Sequence, residues 1–211
     1  MVRSVYLVRH GQTPWNKAGR YQGHTDIPLS PLGRRQALCL ARRLARDPID
    51  AVYSSDLTRA QATAAPLARR LDLPVRARSD LREMAYGDLE GLTAAQIEER
   101  FPGYFPAARQ DPLGTTPPGG ESYSTMYNRV LAAWEEIAGG PHDRVLVVAH
   151  GGTLKALLCH LLAVDPRERW RFMLDNASIT ILHRRRSGFS LWRYNDTHHL
   201  RDLHKGKRRR R

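Results

Sequence analysis

Cysteine is scarce, with only Cys39 and Cys159 in 211 residues, both inside apolar, helix-like sequence. Two such cysteines exclude a disulfide framework or a cysteine-built metal site and read as buried free thiols suited to a reducing compartment. Long apolar runs are lacking too: no stretch approaches the roughly 18 continuous residues that span a bilayer. The first residues also lack the charged, apolar and small-residue succession of a secretory signal. The expected setting is cytoplasmic, with no membrane partner. No His-Glu-x-x-His or comparable paired-ligand spacing occurs, so no metal and no cofactor is expected. Negative charge is in short supply: 21 acidic residues against 34 Lys and Arg leave a formal +13. Seven basic residues against Asp196 and Asp202 put +5 of that in residues 196–211 and +8 in the rest. No aromatic residue interleaves the terminal basic run, so a stacking platform for bases is unsupported. Nucleic acid is not the expected partner, although the run leaves it open.

What the chain does have is a set of short apolar runs that end in polar residues. At 41% hydrophobic and 26% charged, it fits one globular domain with a sizeable core, expected over 1–195. Residues 196–211 then read as a basic, flexible tail. Val5-Tyr6-Leu7-Val8 is a buried strand that breaks off at Arg9-His10-Gly11. That sets a fixed cation and an ionisable ring at a strand's carboxyl end, where open α/β sheets hold ligands. A solvated strand end looks the same over so short a motif. Residues 144–149 repeat the grammar: an apolar strand, then His150-Gly151-Gly152. A helix over about 153–163 follows, and the free N–H groups at its start favour anions.

Between these two strands, residues 14–26 read as a long loop with no helical or strand period. Ser30-Pro31 opens a helix with Ala37, Leu40, Ala41 and Leu44 on one face. A strand over 51–53 leads to a second helix, whose stripe of Leu57, Ala60, Ala64, Leu67, Ala68 and Leu71 leaves Arg59 in its first turn. The helix dipole disfavours a cation there by a few tenths to about 1 kcal/mol, a position that a bound dianion would justify. The remaining elements are a strand over 74–78, a short helix over 93–100 and a helix from Glu121-Ser122 to Gly139. An irregular, Pro- and Gly-rich excursion over 101–120 has a lid-like character. A hairpin of 178–183 with 189–194 completes an α/β, three-layer α/β/α fold with a mostly parallel central sheet.

Arg9, His10, Arg59, Glu83 and His150 are the residues this layout can bring to one crevice. Together they offer cations and donors around a phosphoryl group, an in-line nucleophile and a proton donor opposite. Five ordered blocks carry a resemblance: Leu7 to Thr13, Tyr21 to Ser30, Ser54 to Ala60, Arg82-Glu83 through Glu90-Gly91, and Val148 to Gly152. Over about residues 3–195 they resemble the histidine phosphatase superfamily, also called phosphoglycerate mutase-like. The resemblance implies a phosphatase that acts on small phosphorylated metabolites, most similar to the α-ribazole and broad-specificity phosphatases. It implies that His10 is the nucleophile that becomes phosphohistidine, with Arg9, Arg59 and His150 around the phosphoryl group. Glu83 would be the proton donor and then the base. Asn16, Gln22 and Gly23 match loop positions that contact phosphate or substrate, joined by Gly151 at the helix start. Glu90 and Asp88 stay open as rival acids, and His24, His183, His198 and His199 read as solvated or structural. Asn176 to Thr180 either braces the His150 region or begins a strand.

Two other functions compete. A cofactor-dependent mutase of the same family carries a longer, cation-bearing segment between acid and second histidine, whereas residues 101–120 hold a lone Arg109. A non-catalytic phosphoester- or nucleic-acid-binding protein would have no chemical need to keep all five candidate catalytic positions filled.

Overall fold

The computed structural model describes residues 2–205 of the chain. Six strands, β1 (Ser4–Arg9), β2 (Ala51–Ser55), β3 (Val75–Arg78), β4 (Arg144–Ala149), β5 (Ile179–Arg185) and β6 (Gly188–Asp196), form one sheet in the order β3-β2-β4-β1-β5-β6. The first four are parallel; β5 runs antiparallel to β1, and β6 pairs with β5 as the hairpin. This is the expected α/β class.

Helices cover both sheet faces, which is why β1 and β4 read as continuous apolar runs rather than alternating ones. On one face Tyr6, Val8, Leu146 and Val148 pack with α2 (Pro31–Leu44) and α3 (Thr58–Leu71) through Leu40, Leu44, Ala64 and Leu67. On the other, Val5, Leu7, Val145 and Val147 pack with α6 (Tyr123–Gly139) and α7 (Gly151–Leu161) through Met126, Val130, Leu154 and Leu157. Side-chain caps set two of these starts: Ser30 accepts from the Gly33 amide and Ser122 from the Thr125 amide.

The sheet order creates the site. The chain leaves β1 for β2, two positions away, and β4 later inserts between them. Arg9 lies opposite Ala149 in the β1–β4 register, so the next residues, His10 and His150, emerge side by side. That is a topological switch point, the place where α/β sheets bind ligands.

Four expectations change. The supposed loop 14–26 begins with one helical turn, α1 (Pro14–Lys17), because Thr13 and Asn16 form a reciprocal capping box ahead of a first-turn proline. The 101–120 excursion is not wholly irregular, since after α4 (Ala94–Arg100) it holds α5 (Tyr104–Gln110). The packed chain does not stop at 195. Asp196 finishes β6, a tight turn over His198–Leu200 leads into α8 (Arg201–Lys205), and buried Leu200 anchors this segment beside α2. The basic run 207–211 of the expected tail lies outside the described residues. Cys159 is buried as expected, but Cys39 is only partly so, because Ala37, Leu40 and Ala41 take the core-facing positions of α2. Both are free thiols.

Candidate active site

His10 sits just past β1 and is 3% exposed, while His150, just past β4, is 1% exposed. Their rings lie 5.1 Å apart between centroids. The His10 Nδ1 is 2.8 Å from the carbonyl oxygen of Gly11. A carbonyl can only accept, so Nδ1 carries the proton and Nε2 keeps its lone pair. Burial first, and then the charges of Arg59 and Arg9, hold the His10 pKa well below the usual histidine value. The ring is a neutral imidazole with a free nucleophilic nitrogen.

Arg59 is fully buried in the first turn of α3. Its guanidinium donates to the Thr25 carbonyl at 2.9 Å, the Gly23 carbonyl at 2.7 Å and the His150 Nδ1 at 3.3 Å. Because Arg59 donates to Nδ1, the neutral His150 bears its proton on Nε2, and that atom is buried with no partner among the described residues. Burial, Arg59, His10 and Arg9 in that order depress the His150 pKa as well. Arg9 donates to the Leu174 carbonyl at 2.6 Å, yet its Nε is also buried and unpaired. Buried donors are nearly always satisfied. Two orphaned ones, Arg9 Nε and His150 Nε2, are free to donate to an acceptor in the cavity.

Glu83 reaches the site from a segment without regular structure. Its Oε2 accepts the Gly152 amide at 2.8 Å and its Oε1 the Met84 amide at 3.0 Å, so its carboxylate caps α7 in place of an absent side-chain cap from His150. Glycine at 152 is what allows this, for a Cβ there would stand 2.3 Å from Glu83 Oε1. Glu90 is engaged elsewhere: its carboxylate accepts from the backbone amides of His24, Thr25 and Tyr86 and from the Thr25 hydroxyl, which pins the 23–25 loop.

The other expected residues separate into lining and bracing groups. A cavity of about 160 Å³ is bounded by Arg9, His10, Arg59, His150 and Glu83, together with Asn16, Gln22, Arg20, Tyr21 and Tyr86. Gly23 contributes its carbonyl to Arg59, and Gly151 borders a larger adjoining cavity at the α7 start. Asn176 does not brace His150; its side chain donates to the His10 carbonyl at 3.0 Å and to Asn16 Oδ1 at 3.1 Å. It holds β1's end because the 174–177 turn passes that strand, as the Ala177 amide bonded to the Arg9 carbonyl at 2.9 Å also shows. Thr63, which the sequence sets on the same helix face as Arg59 without a role, accepts the Gly11 amide through its hydroxyl at 2.9 Å, and Lys155, half-buried in the larger cavity, is a residue sequence reasoning missed. Thr63 lies one turn past Arg59, a spacing that signals a shared helix face. No group of three or more potential ligating side chains that could hold a metal occurs among the described residues.

A neutral imidazole, two guanidinia, orphaned donors and a carboxylate lining one cavity at the switch point of an α/β sheet are the groups a phosphate-ester enzyme needs. The chain belongs to the histidine phosphatase superfamily (branch 1), whose family model matches residues 5–197, and it is a phosphatase that hydrolyses phosphomonoesters. It is 36% identical over 201 residues to phosphoserine phosphatase 1 of Hydrogenobacter thermophilus, covering 95% of each chain. The solved structure of mycobacterial glucosyl-3-phosphoglycerate phosphatase complexed with VO3 is 37% identical, with TM-score 0.82 over 93% of this chain and 100% of that one. A putative α-ribazole-5'-P phosphatase from Escherichia coli is 28% identical, with TM-score 0.86 over 93% and 97%.

Proposed function

We propose that hydrolysis runs through a phosphohistidine on His10. The Nε2 lone pair attacks phosphorus, and the N–P bond forms as the P–O bond to the alcohol breaks. Protonated Glu83 gives its proton to the departing oxygen, then takes one from a water that attacks the phosphohistidine, so that phosphate leaves and His10 returns neutral. Arg9, Arg59 and the His150 Nε2–H bind the equatorial oxygens where charge concentrates. The observation that carries this reading is the His10 tautomer: Nδ1 is committed to the Gly11 carbonyl, which leaves Nε2 as the nucleophile.

The substrate is a small phosphorylated metabolite whose alcohol part carries an anionic group. A second cavity of about 740 Å³ shares Arg9, Tyr21, Glu83 and Tyr86 with the phosphate pocket, so the alcohol extends into it. Lys155, Arg109 and Arg167 line it, and Glu83 is its single carboxylate among the described residues. Phosphoserine and glucosyl-3-phosphoglycerate, which two relatives are named for, each carry a carboxylate of the kind a cationic lining attracts. The test is hydrolysis of p-nitrophenyl phosphate and of a panel of neutral and acidic phosphomonoesters by wild type and His10→Ala, with and without chelator. Wild-type turnover that favours acidic esters, ignores chelator and vanishes in the variant is expected; activity that survives the substitution contradicts the mechanism.

A further inference from the structure

Glu83 to Tyr86 lie in neither helix nor strand, so the acid–base carboxylate is presented by a segment whose shape side chains must fix. One guanidinium grips the start of this segment and the residues just before it. Arg129, on α6 and lining neither cavity, donates to the carbonyls of Asp80 at 2.8 Å, Arg82 at 3.1 Å and Glu83 at 3.3 Å. Its remaining bond, 2.6 Å to Glu121 Oε1, ties it to a carboxylate that also accepts the Ala85 amide at 2.9 Å. The segment is further clamped by the Thr153 hydroxyl, 2.8 Å from the Arg82 carbonyl, and by His24 Nε2, which donates to the Glu83 carbonyl at 2.9 Å. Three carbonyls gathered on one planar fork cannot be held by a lysine's compact charge.

We infer that Arg129 is a positioning residue that sets where Glu83 stands relative to His10, with Glu121 as its counter-charge. The inference rests on Glu83 being the proton donor. A displaced acid harms poor leaving groups most, because an alkoxide needs the proton and p-nitrophenolate does not.

The experiment compares kcat/KM of Arg129→Lys on glycerol phosphate and p-nitrophenyl phosphate, with inorganic phosphate binding as a fold control. Expected is a loss of about 30- to 100-fold on glycerol phosphate and under about fivefold on p-nitrophenyl phosphate, in line with a misplacement near 1 Å. Phosphate binding should be unchanged. In a Glu83→Gln background Arg129→Lys should add nothing, since the residue it positions is gone. Equal losses on both esters, additive losses in that background, or weakened phosphate binding overturn the inference. If Glu83→Gln by itself spares glycerol phosphate turnover, the Glu83 role fails, a separate outcome from a normal Glu83→Gln defect without the Arg129 split. Should Arg129→Lys not fold, Glu121→Gln must show the same leaving-group split, and its absence overturns the inference.

Discussion

Replacing Gly152 by alanine separates stability from chemistry at one atom. The added Cβ would stand 2.3 Å from Glu83 Oε1 and 3.2 Å from its Cδ, whereas ordinary contact begins at 3.4 Å. The carboxylate must therefore retreat by about 1 Å, which its flexible side chain does at little cost in packing. Two stability effects nearly cancel: alanine in a helix gains about 0.4–1 kcal/mol over glycine, and loosening a carboxylate cap from the Gly152 amide loses about as much. The melting temperature should move by only a few degrees. Catalysis has no such compensation. A 1 Å misplacement of a reacting group costs about 10²-fold, or close to 2.7 kcal/mol of barrier. The assay is kcat/KM on an alkyl phosphate for wild type and Gly152→Ala, with thermal unfolding of both. Unchanged kcat/KM, or a loss that merely follows a collapse in melting temperature, would refute the placement of Glu83 as the group that meets the leaving oxygen.

Three further outcomes follow from the same geometry. His10 and His150 are held neutral in the fold but titrate near 6.5 once unfolded; below that pH the unfolded chain binds protons the native one refuses, so stability falls as pH drops, by up to about 1.4 kcal/mol per pH unit for each histidine. Denaturant unfolding from pH 7.5 to 5 should show that slope, flattened in a His10→Gln/His150→Gln variant. Arg59→Met strands the Gly23 and Thr25 carbonyls, so it should destabilise by about 2–5 kcal/mol and lower kcat by more than about 10²-fold; a fully stable, active variant would contradict the double role of this guanidinium. Lys155→Met should raise KM for acidic esters several-fold while leaving p-nitrophenyl phosphate unaffected, and equal effects on both would remove the acidic-substrate reading.

The features legible in the sequence were those that depend on local pattern. Two apolar runs each ending in a histidine marked β1 and β4, since strands buried on both faces must be continuously apolar. Ser30 and Ser122 announced their helices because capping chemistry is local. Arg59 stood out by its unfavourable position at a helix start. What stayed hidden depends on long-range contact. Arg129 and Lys155 occupy helix positions that look solvated in sequence, and only the packing of α6 and α7 turns them toward the 80–85 segment and the larger cavity. Asn176 was legible as a bracing residue but was matched with the wrong histidine, because sheet order rather than sequence order decides which strand end the 174–177 turn crosses. Glu83 was favoured over Glu90 and Asp88 only by its place in the Arg-Glu block, and the bonds that tie Glu90 to the amides of His24, Thr25 and Tyr86 are long-range contacts no local pattern shows. Leu200 is the one fully buried residue of the described segment after 195, too sparse a signal beside the surrounding charge.

The central claim is that the Nε2 of His10 carries the phosphoryl group. Rapid quenching during turnover at alkaline pH, followed by peptide mapping and 31P NMR of the trapped intermediate, tests it most directly. The geometry predicts an acid-labile phosphohistidine on the peptide containing His10, phosphorylated at Nε2 because Nδ1 is bound to the Gly11 carbonyl, and no label in His10→Ala. Label at Nδ1, label on another residue, or turnover by His10→Ala would contradict it.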